Sequence, residues 1–553
     1  MPGPSQLDDL LRNEVPPPLR AAVDEFLATS PTREQRIAKL ELALSSPFAP
    51  MLRDAIGNWI VDRLVPASKL VPTEYKSWIP VVRDAMMYVI KNHSAPRLAP
   101  KIIEQLELPL RTRTDTRLLC LISKVPGLQK LGQVIARNRH LRPPLRRSLM
   151  KLENGIRDVE PAEIRLFISQ QLERQLQQFE VKVERRLISE ASVSSIARFR
   201  WTNPETGLRE RGVFKVLKPY IPVYFAEDMG LLQGLTDHFS SKMHDYGFSS
   251  DVLSDTFMKV RLLLQHEVDF AGEQETLSHA SGLYRGMSHV RVPTIIAPMC
   301  TPQITAMTEE VGLKVTTALK GMSTWKRSRL AEQMVEALVA VPLLSSDERV
   351  LFHADPHAGN ILFDRKTGKL VILDWALAEW LTLEQRRHLA LLFVHVALRD
   401  HVGTIGDIDA LRQPGSNGHY SSKIEDIVTE HLNSLPWAQL PSAVDAMRLV
   451  EKITLAGVRF PAALIMLSKV MFTLDGILYD FRVSQACVWI GFLRHLSDRT
   501  LNPKKFAIAP LRISDLARLP LSATFYACRL WIASEEQLAN RLFRRRQTAV
   551  TTT

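Results

Sequence analysis

Apolar positions in the first 110 residues recur periodically, as in Leu40, Leu42, Leu44 and Met51, Ile56, Ile60, Leu64, and predict short helices broken at Pro16 to Pro18, Pro47, Pro50, Pro66, Pro72 and Pro80. Residues 162–187 continue in this style, rich in Glu, Gln, Arg and Leu, and no internal repeat is visible. The period then changes from helical to alternating. Ile196-Ala-Arg-Phe-Arg-Trp201, the turn residues Asn203, Pro204 and Gly207, and Gly212-Val-Phe-Lys215-Val-Leu-Lys218 predict two antiparallel strands. A helical stretch follows over 225–282, with short strands at Val290-Arg-Val-Pro293 and Gln303-Ile-Thr-Ala-Met307. Beyond Gly312 the pattern is helical again, interrupted by one hairpin: Ile361–Asp364, a turn closing at Gly368, and Leu370–Asp374.

The predicted organisation is α+β: a helical region 1–110, a helical extension 111–186, a mixed lobe 187–311, a helical lobe 312–500 and a basic helical tail 501–553. A chain of 553 residues holds roughly two to four cores, and its 46% apolar and 24% charged composition is that of globular proteins. Cys120, Cys300, Cys487 and Cys528 form no CxxC pair, which argues against a zinc site or a disulfide framework. The amino terminus lacks the basic and apolar regions of a secretory signal, so a cytoplasmic location is expected. No uninterrupted apolar run reaches the roughly 18 residues of a spanning helix; the nearest, Phe460–Phe472, is broken by Lys469.

The formal net charge of +12 is concentrated: residues 111–151 hold eleven Lys or Arg against Asp115 alone. Such a stretch is either a solvated face or a contact for an anionic membrane surface. Arg541 and Arg544-Arg545-Arg546, beside Trp531, Leu538, Leu542 and Phe543, suit an amphipathic interfacial helix or a terminal helix packed on the body. Nucleic acid is not an expected partner, because the basic stretch lacks interleaved aromatics for base stacking.

Phosphoryl transfer is mostly positioning and charge neutralisation. A kinase site therefore needs a lysine for the phosphates, a carboxylate to hold it, metal ligands and a residue at the nucleophile. In the kinase template the catalytic Asp and a metal-binding Asn stand five positions apart, ahead of a hairpin that ends in a second metal-binding Asp. Asp355, Asn360 and Asp374, introduced by His353, reproduce that order. Each residue alone would read as a loop cap; the spacing and the hairpin make the set a kinase-like catalytic loop. Upstream, Lys215 lies in an alternating strand, and Glu267, Asp269 and Glu273 follow on a helical stretch. No GxGxxG precedes Lys215, which disfavours an ordinary protein kinase; Glu190-Ala-Ser-Val-Ser-Ser-Ile-Ala197 stands in its place.

These motifs resemble the UbiB/ADCK (AarF) family of atypical kinases over roughly residues 120–400. Lys130-Leu-Gly-Gln133 resembles the family's KxGQ signature, Gly212–Pro219 its lysine strand, Glu267-Val-Asp269 with Glu273 its ExD motif and following glutamate, and His353–Asn360 with Asp374 its catalytic and metal loops. The resemblance implies a two-lobed protein-kinase-like fold with a helical extension carrying KxGQ, ATP or ADP and Mg2+ as ligands, and a theme of isoprenoid quinone or lipid metabolism. It implies that Lys215 contacts the phosphates and pairs with Glu273, that Asp355 orients or deprotonates the acceptor, and that Asn360 and Asp374 hold magnesium. It further implies that Lys130, Gln133, Glu267 and Asp269 lie over the site, with His353 supporting the loop. The nucleotide-binding set is read as Lys215, Ser192, Ser194, Ser195 and Glu309.

The chain departs from the family where Ser192, Val193 and Ser194 replace alanines, and where Trp375-Ala376 replaces Phe-Gly after Asp374. Many bacterial relatives end in membrane-spanning helices, and none is read here. No Ala-Pro-Glu follows Asp374, so a peptide acceptor is not expected. The rival readings are a small-molecule phosphotransferase of the aminoglycoside or choline kinase type and a nucleotide-binding pseudokinase scaffold.

Overall fold

A computed structural model of the protein describes residues 32–109, 111–136, 143–150, 158–247, 251–413, 421–436, 440–483 and 510–515, together with Glu25, Thr29, Ser30, His495 and Thr524. Arg137, Arg139, Arg142 and Lys151 of the basic stretch, the tail with Arg541 and Arg544–Arg546, and Cys487 and Cys528 lie outside the described residues. The described part is α+β. Its strands are β1 (Lys182–Glu190), β2 (Ser194–Thr202), β3 (Arg209–Leu217), β4 (Val290–Arg291), β5 (Ile304–Thr308), β6 (Leu313–Lys314), β7 (Arg349–His353), β8 (Ile361–Asp364), β9 (Lys369–Ile372) and β10 (Ala378–Thr382). The chain forms two compact units: residues up to Phe270 with Ile296–Thr308, and Ala271–Ile295 with the residues from Glu309 onward.

The first unit contains a four-stranded antiparallel sheet of order β1-β2-β3-β5. Alternation puts Ala197, Phe199, Trp201, Phe214 and Val216 on one buried face, where Phe199 stacks on Phe214 with ring centroids 4.0 Å apart. The helix Pro161–Gln178 covers that face with Ile164, Ile168 and Leu172. The helical pattern read through residue 187 stops earlier than expected: Glu180 turns left-handed at φ 49°, and Lys182–Glu190 pairs with β2 instead. Val181, Val183 and Leu187 pack against the sheet core, so tertiary pairing overrides the helix propensity of the Glu and Arg residues between them. The amino-terminal helices enclose a separate core around Leu44, Ile60, Leu98 and Ile102. A third cluster joins the helix Tyr220–Lys242, through Leu232, Leu235 and Phe239, to the helix Asp251–Val268, through Phe257, Val260 and Leu264.

The basic stretch is not a continuous exposed face. Arg117 is buried, donating to the carbonyls of Gln105 and Pro109. Arg113 is paired with Asp115, and Lys130 with Glu267.

The second unit holds the sheet β4-β9-β8-β6, with β4 parallel to β9 and the rest antiparallel, and the two-stranded ladder β7-β10. The predicted hairpin is present as β8 and β9. Gly368 closes its turn at φ 70°, its N–H donating to the Asp364 carbonyl at 2.8 Å, a conformation that costs glycine little. Helices Leu383–Ala397, Ala443–Leu455 and Ala462–Phe481 bury Leu389, Leu392, Phe393, Met447, Val450, Val470, Met471 and Leu474. Thr382 with Gln385 and Ser442 with Asp445 form capping boxes that fix where the first two begin. No uninterrupted apolar run of spanning length occurs in the sequence; among the described residues one helix, Ala462–Phe481, meets the measure of length and overall composition. Its 20 residues, mean hydropathy 1.6, suffice by length and composition, although half of the window is buried inside the protein. Lys469, Asp475 and Asp480 had hidden its length by interrupting the apolar run.

Candidate active site

In the first unit, register decides where the lysine goes. Lys215 of β3 lies opposite Ile196 on one side and Thr305 on the other. Because its neighbours Phe214 and Val216 point into the core, its side chain stands on the opposite face, half-buried, with Nζ 5.5 Å from the centroid of the Phe270 ring. The loop between β1 and β2 is held from below. Ser192 Oγ donates to Glu267 Oε2 at 3.0 Å, and the other oxygen of Glu267 pairs with Lys130 on the helix Pro126–Ala136. Lys130, Glu267 and Ser192 are thus brought together. Gln133 lies half-buried on the same helix as Lys130, and Asp269 is exposed just past the helix that carries Glu267.

Ser194 and Ser195 are placed differently from Ser192. Both belong to β2, paired with Leu217 and Val216, and are 4% and 0% exposed. They begin the strand, and the loop itself is reduced to residues 191–193.

Sequence reasoning missed a buried charge cluster beneath this loop. Lys218 is fully buried, with Nζ 2.6 Å from Asp158 and 3.6 Å from Glu190. Tyr220 donates its hydroxyl to Asp158 Oδ2 at 3.0 Å, and Gln129, on the helix that bears Lys130, approaches the same oxygen at 3.4 Å. Burial holds the Glu190 carboxyl above the usual range, an effect that the Lys218 charge opposes and the Asp158 charge reinforces. Lys218 was visible beside Lys215, but its partner Asp158 lies 60 residues away, with no local signal to link them.

In the second unit, the strand β7 ends at His353, which is 1% exposed. Its Nδ1 accepts the Asp355 N–H at 3.1 Å, so Nε2 carries the ring proton and donates it to the Leu373 carbonyl at 2.9 Å. Burial keeps the imidazole pKa below its ordinary value, partly offset by the Leu373 hydrogen bond and the Asp374 and Asp355 charges. The ring packs edge-on against Trp375, which is fully buried. Asn360 makes a second tie: its carbonyl accepts the Leu373 N–H at 2.8 Å, and its side-chain amide donates to the Asp355 carbonyl at 3.3 Å. The catalytic-type loop and the strand delivering Asp374 are therefore one hydrogen-bonded piece. Asp374 itself is exposed and sits at φ 57°. The left-handed residue in Asp374-Trp375-Ala376 is thus the carboxylate, which a side chain such as Asp tolerates better than most. Glu273 is buried on the helix Phe270–Tyr284, where Thr276 donates to the Trp375 carbonyl at 2.8 Å; Glu309 is half-buried after β5.

Asn360 and Asp374 offer hard oxygen donors. Among the described residues no cluster of three or more His, Cys, Asp or Glu is arranged to hold a metal alone. This donor set suits magnesium, which takes one or two protein oxygens and completes its shell with phosphate and water.

Residues 151–406 match the family described as "ABC1 atypical kinase-like domain"; Lys130 and Gln133 precede that match. Among curated proteins, "Protein ACTIVITY OF BC1 COMPLEX KINASE 7, chloroplastic" of Arabidopsis thaliana is 24% identical over 362 residues, covering 64% of this chain and 50% of that protein. "Probable protein kinase UbiB" of Xanthomonas campestris pv. campestris (strain 8004) is 22% identical over 304 residues, 53% of each. The chain spans about half the length of these relatives. A solved structure entitled "The complex structure of Rv3197-erythromycin from Mycobacterium tuberculosis" aligns with a TM-score of 0.42 at 15% identity, covering 64% of this chain and 87% of that one. Residues 151–406 of this chain thus belong to the ABC1 atypical kinase-like family, the UbiB/ADCK kind that its motifs resemble.

Proposed function

We propose that the protein is a magnesium- and ATP-dependent atypical kinase or ATPase of the UbiB/ADCK type. The observation that carries this reading is the stitched pair of loops in the second unit. His353 and Asn360 bind the Asp355 loop to Leu373, just past β9 and next to Asp374, which supports a shared role for Asp355, Asn360 and Asp374. Magnesium bound by Asn360 and Asp374 would neutralise phosphate charge. Lys215 binds the phosphates, Glu273 orients that lysine, and Asp355 accepts or orients the acceptor proton. The Lys130–Glu267 ion pair, with Ser192 attached, supports a role for the KxGQ helix in holding the phosphate-proximal loop. An acceptor in isoprenoid quinone or other lipid metabolism, at a membrane surface, is supported by the family resemblance.

The test is ATP turnover by the purified chain with and without Mg2+, beside Asp374→Ala. Magnesium-dependent turnover lost in Asp374→Ala supports the reading. Nucleotide binding without turnover favours a pseudokinase scaffold, and turnover indifferent to Gln133→Ala favours a small-molecule phosphotransferase.

A further inference from the structure

One cation beside the proposed catalytic carboxylate has no part in the assignment above. Lys469 stands 114 residues beyond Asp355, and its Nζ lies 2.9 Å from Asp355 Oδ1. The other carboxylate oxygen is 4.0 Å from His357 Nε2. Between Asp355 and Asn360 the loop reads Pro-His-Ala-Gly, so it contains no lysine or arginine of its own. The cation arrives instead from the helix Ala462–Phe481.

That helix is a rigid platform. Leu467, Ser468, Val470, Met471 and Leu474 are buried around the lysine's turn, and Ser468 Oγ donates to the Leu464 carbonyl. Lys469 projects from its exposed face, 48% accessible, while Asp355 is 29% accessible. An ion pair this open contributes little to folding, so stability does not account for a lysine in so apolar a helix. Transfer of a phosphoryl group does give it a use: a cation fixed at the acceptor-side carboxylate sets that carboxylate's orientation and offsets charge where negative groups must converge.

We propose that Lys469 is the positioning residue for Asp355, replacing from a distant helix the cation that the catalytic-type loop lacks. This rests on the kinase or ATPase reading above. Lys469 acts through Asp355, and its contribution belongs to the chemical step rather than to nucleotide binding.

The experiment compares wild type, Lys469→Met, Lys469→Gln, Lys469→Arg and Asp374→Ala in the full chain, measuring kcat and KM for Mg-ATP hydrolysis, affinity for a fluorescent ADP analogue, and melting temperature. Lys469→Met and Lys469→Gln should lower kcat by about 10- to 100-fold, with KM, ADP-analogue affinity and melting temperature close to wild type. Lys469→Arg should recover most of the rate. Wild-type kcat in the Met and Gln variants, an effect confined to KM, or failure of arginine to rescue would each overturn the assignment while leaving the enzyme reading intact. Wild-type turnover no higher than that of Asp374→Ala would overturn the enzyme reading, and the role of Lys469 with it.

Discussion

Ser192 and Glu267, 75 residues apart, are joined by a 3.0 Å hydrogen bond at the one loop where this chain carries serine instead of the family's alanine. The carboxylate is shared with Lys130, so the hydroxyl adds a third member to an existing ion pair. A hydrogen bond to a charged acceptor contributes about 1.5 kcal/mol, and Ser192 is only 6% exposed. Ser192→Ala should therefore lower the melting temperature by a few degrees. In a thermal-melt cycle, Ser192→Ala combined with Glu267→Ala should be no less stable than Glu267→Ala alone; simple additivity would show that the bond is not made in solution.

His353 tests the stitching of the loops. Truncation to alanine removes a buried ring packed on Trp375 and leaves the Asp355 N–H and the Leu373 carbonyl without their partner, a loss of about 3 kcal/mol. The pH dependence has a definite sign. Burial depresses the folded-state pKa, while an unfolded histidine titrates near pH 6.5 (about its reference value). Below that point the unfolded chain takes up a proton that the folded ring resists. The stabilisation is full above about pH 6.5 and is lost as pH falls towards the depressed pKa. Denaturant midpoints at pH 7.5 and 5.5 should show the gap between wild type and His353→Ala narrowing at the lower pH.

What was legible in the chain was local. Asp355, Asn360, the β8–β9 turn and Asp374 lie within one short segment, and spacing alone announced their order. The β2–β3 hairpin was equally plain from alternation and turn residues. Lys130 and Glu267 carried no mutual signal across 137 residues; only the resemblance coupled them, and the ion pair joins them in space. Lys469 looked like a flaw in an apolar run, because nothing in residues 460–472 points to Asp355. Strand β1 escaped for a different reason. Glu184, Arg185 and Arg186 favour helix locally, and only pairing with β2 makes the extended form cheaper.

Lys218 should be the least tolerant position near the loop. Replacement by methionine would leave the buried Asp158 and Glu190 carboxylates facing each other without a cation, which costs about 3–5 kcal/mol. Lys218→Met should melt far below wild type or fail to accumulate as soluble protein. Adding Asp158→Asn removes one of the stranded charges and should recover part of the loss. If Lys218→Met alone melts like wild type, the three groups are not sequestered together.

Asp374 separates backbone from chemistry. At φ 57° an ordinary L-residue pays about 1–2 kcal/mol relative to glycine, and aspartate pays less because its short polar side chain tolerates this region. Glycine at this position relieves the strain but adds freedom to the unfolded chain, so Asp374→Gly should be nearly neutral in stability. Alanine brings the steric cost without the aspartate's tolerance, and Asp374→Ala should be less stable than Asp374→Gly by about 1 kcal/mol. Both remove the proposed metal ligand, so both should abolish magnesium-dependent turnover. Calorimetry beside turnover distinguishes the two roles: equal melting of the glycine and alanine variants would mean that residue 374 is not held left-handed, whatever its part in catalysis, whereas turnover surviving in either would remove the carboxylate from the reaction and leave its backbone geometry standing.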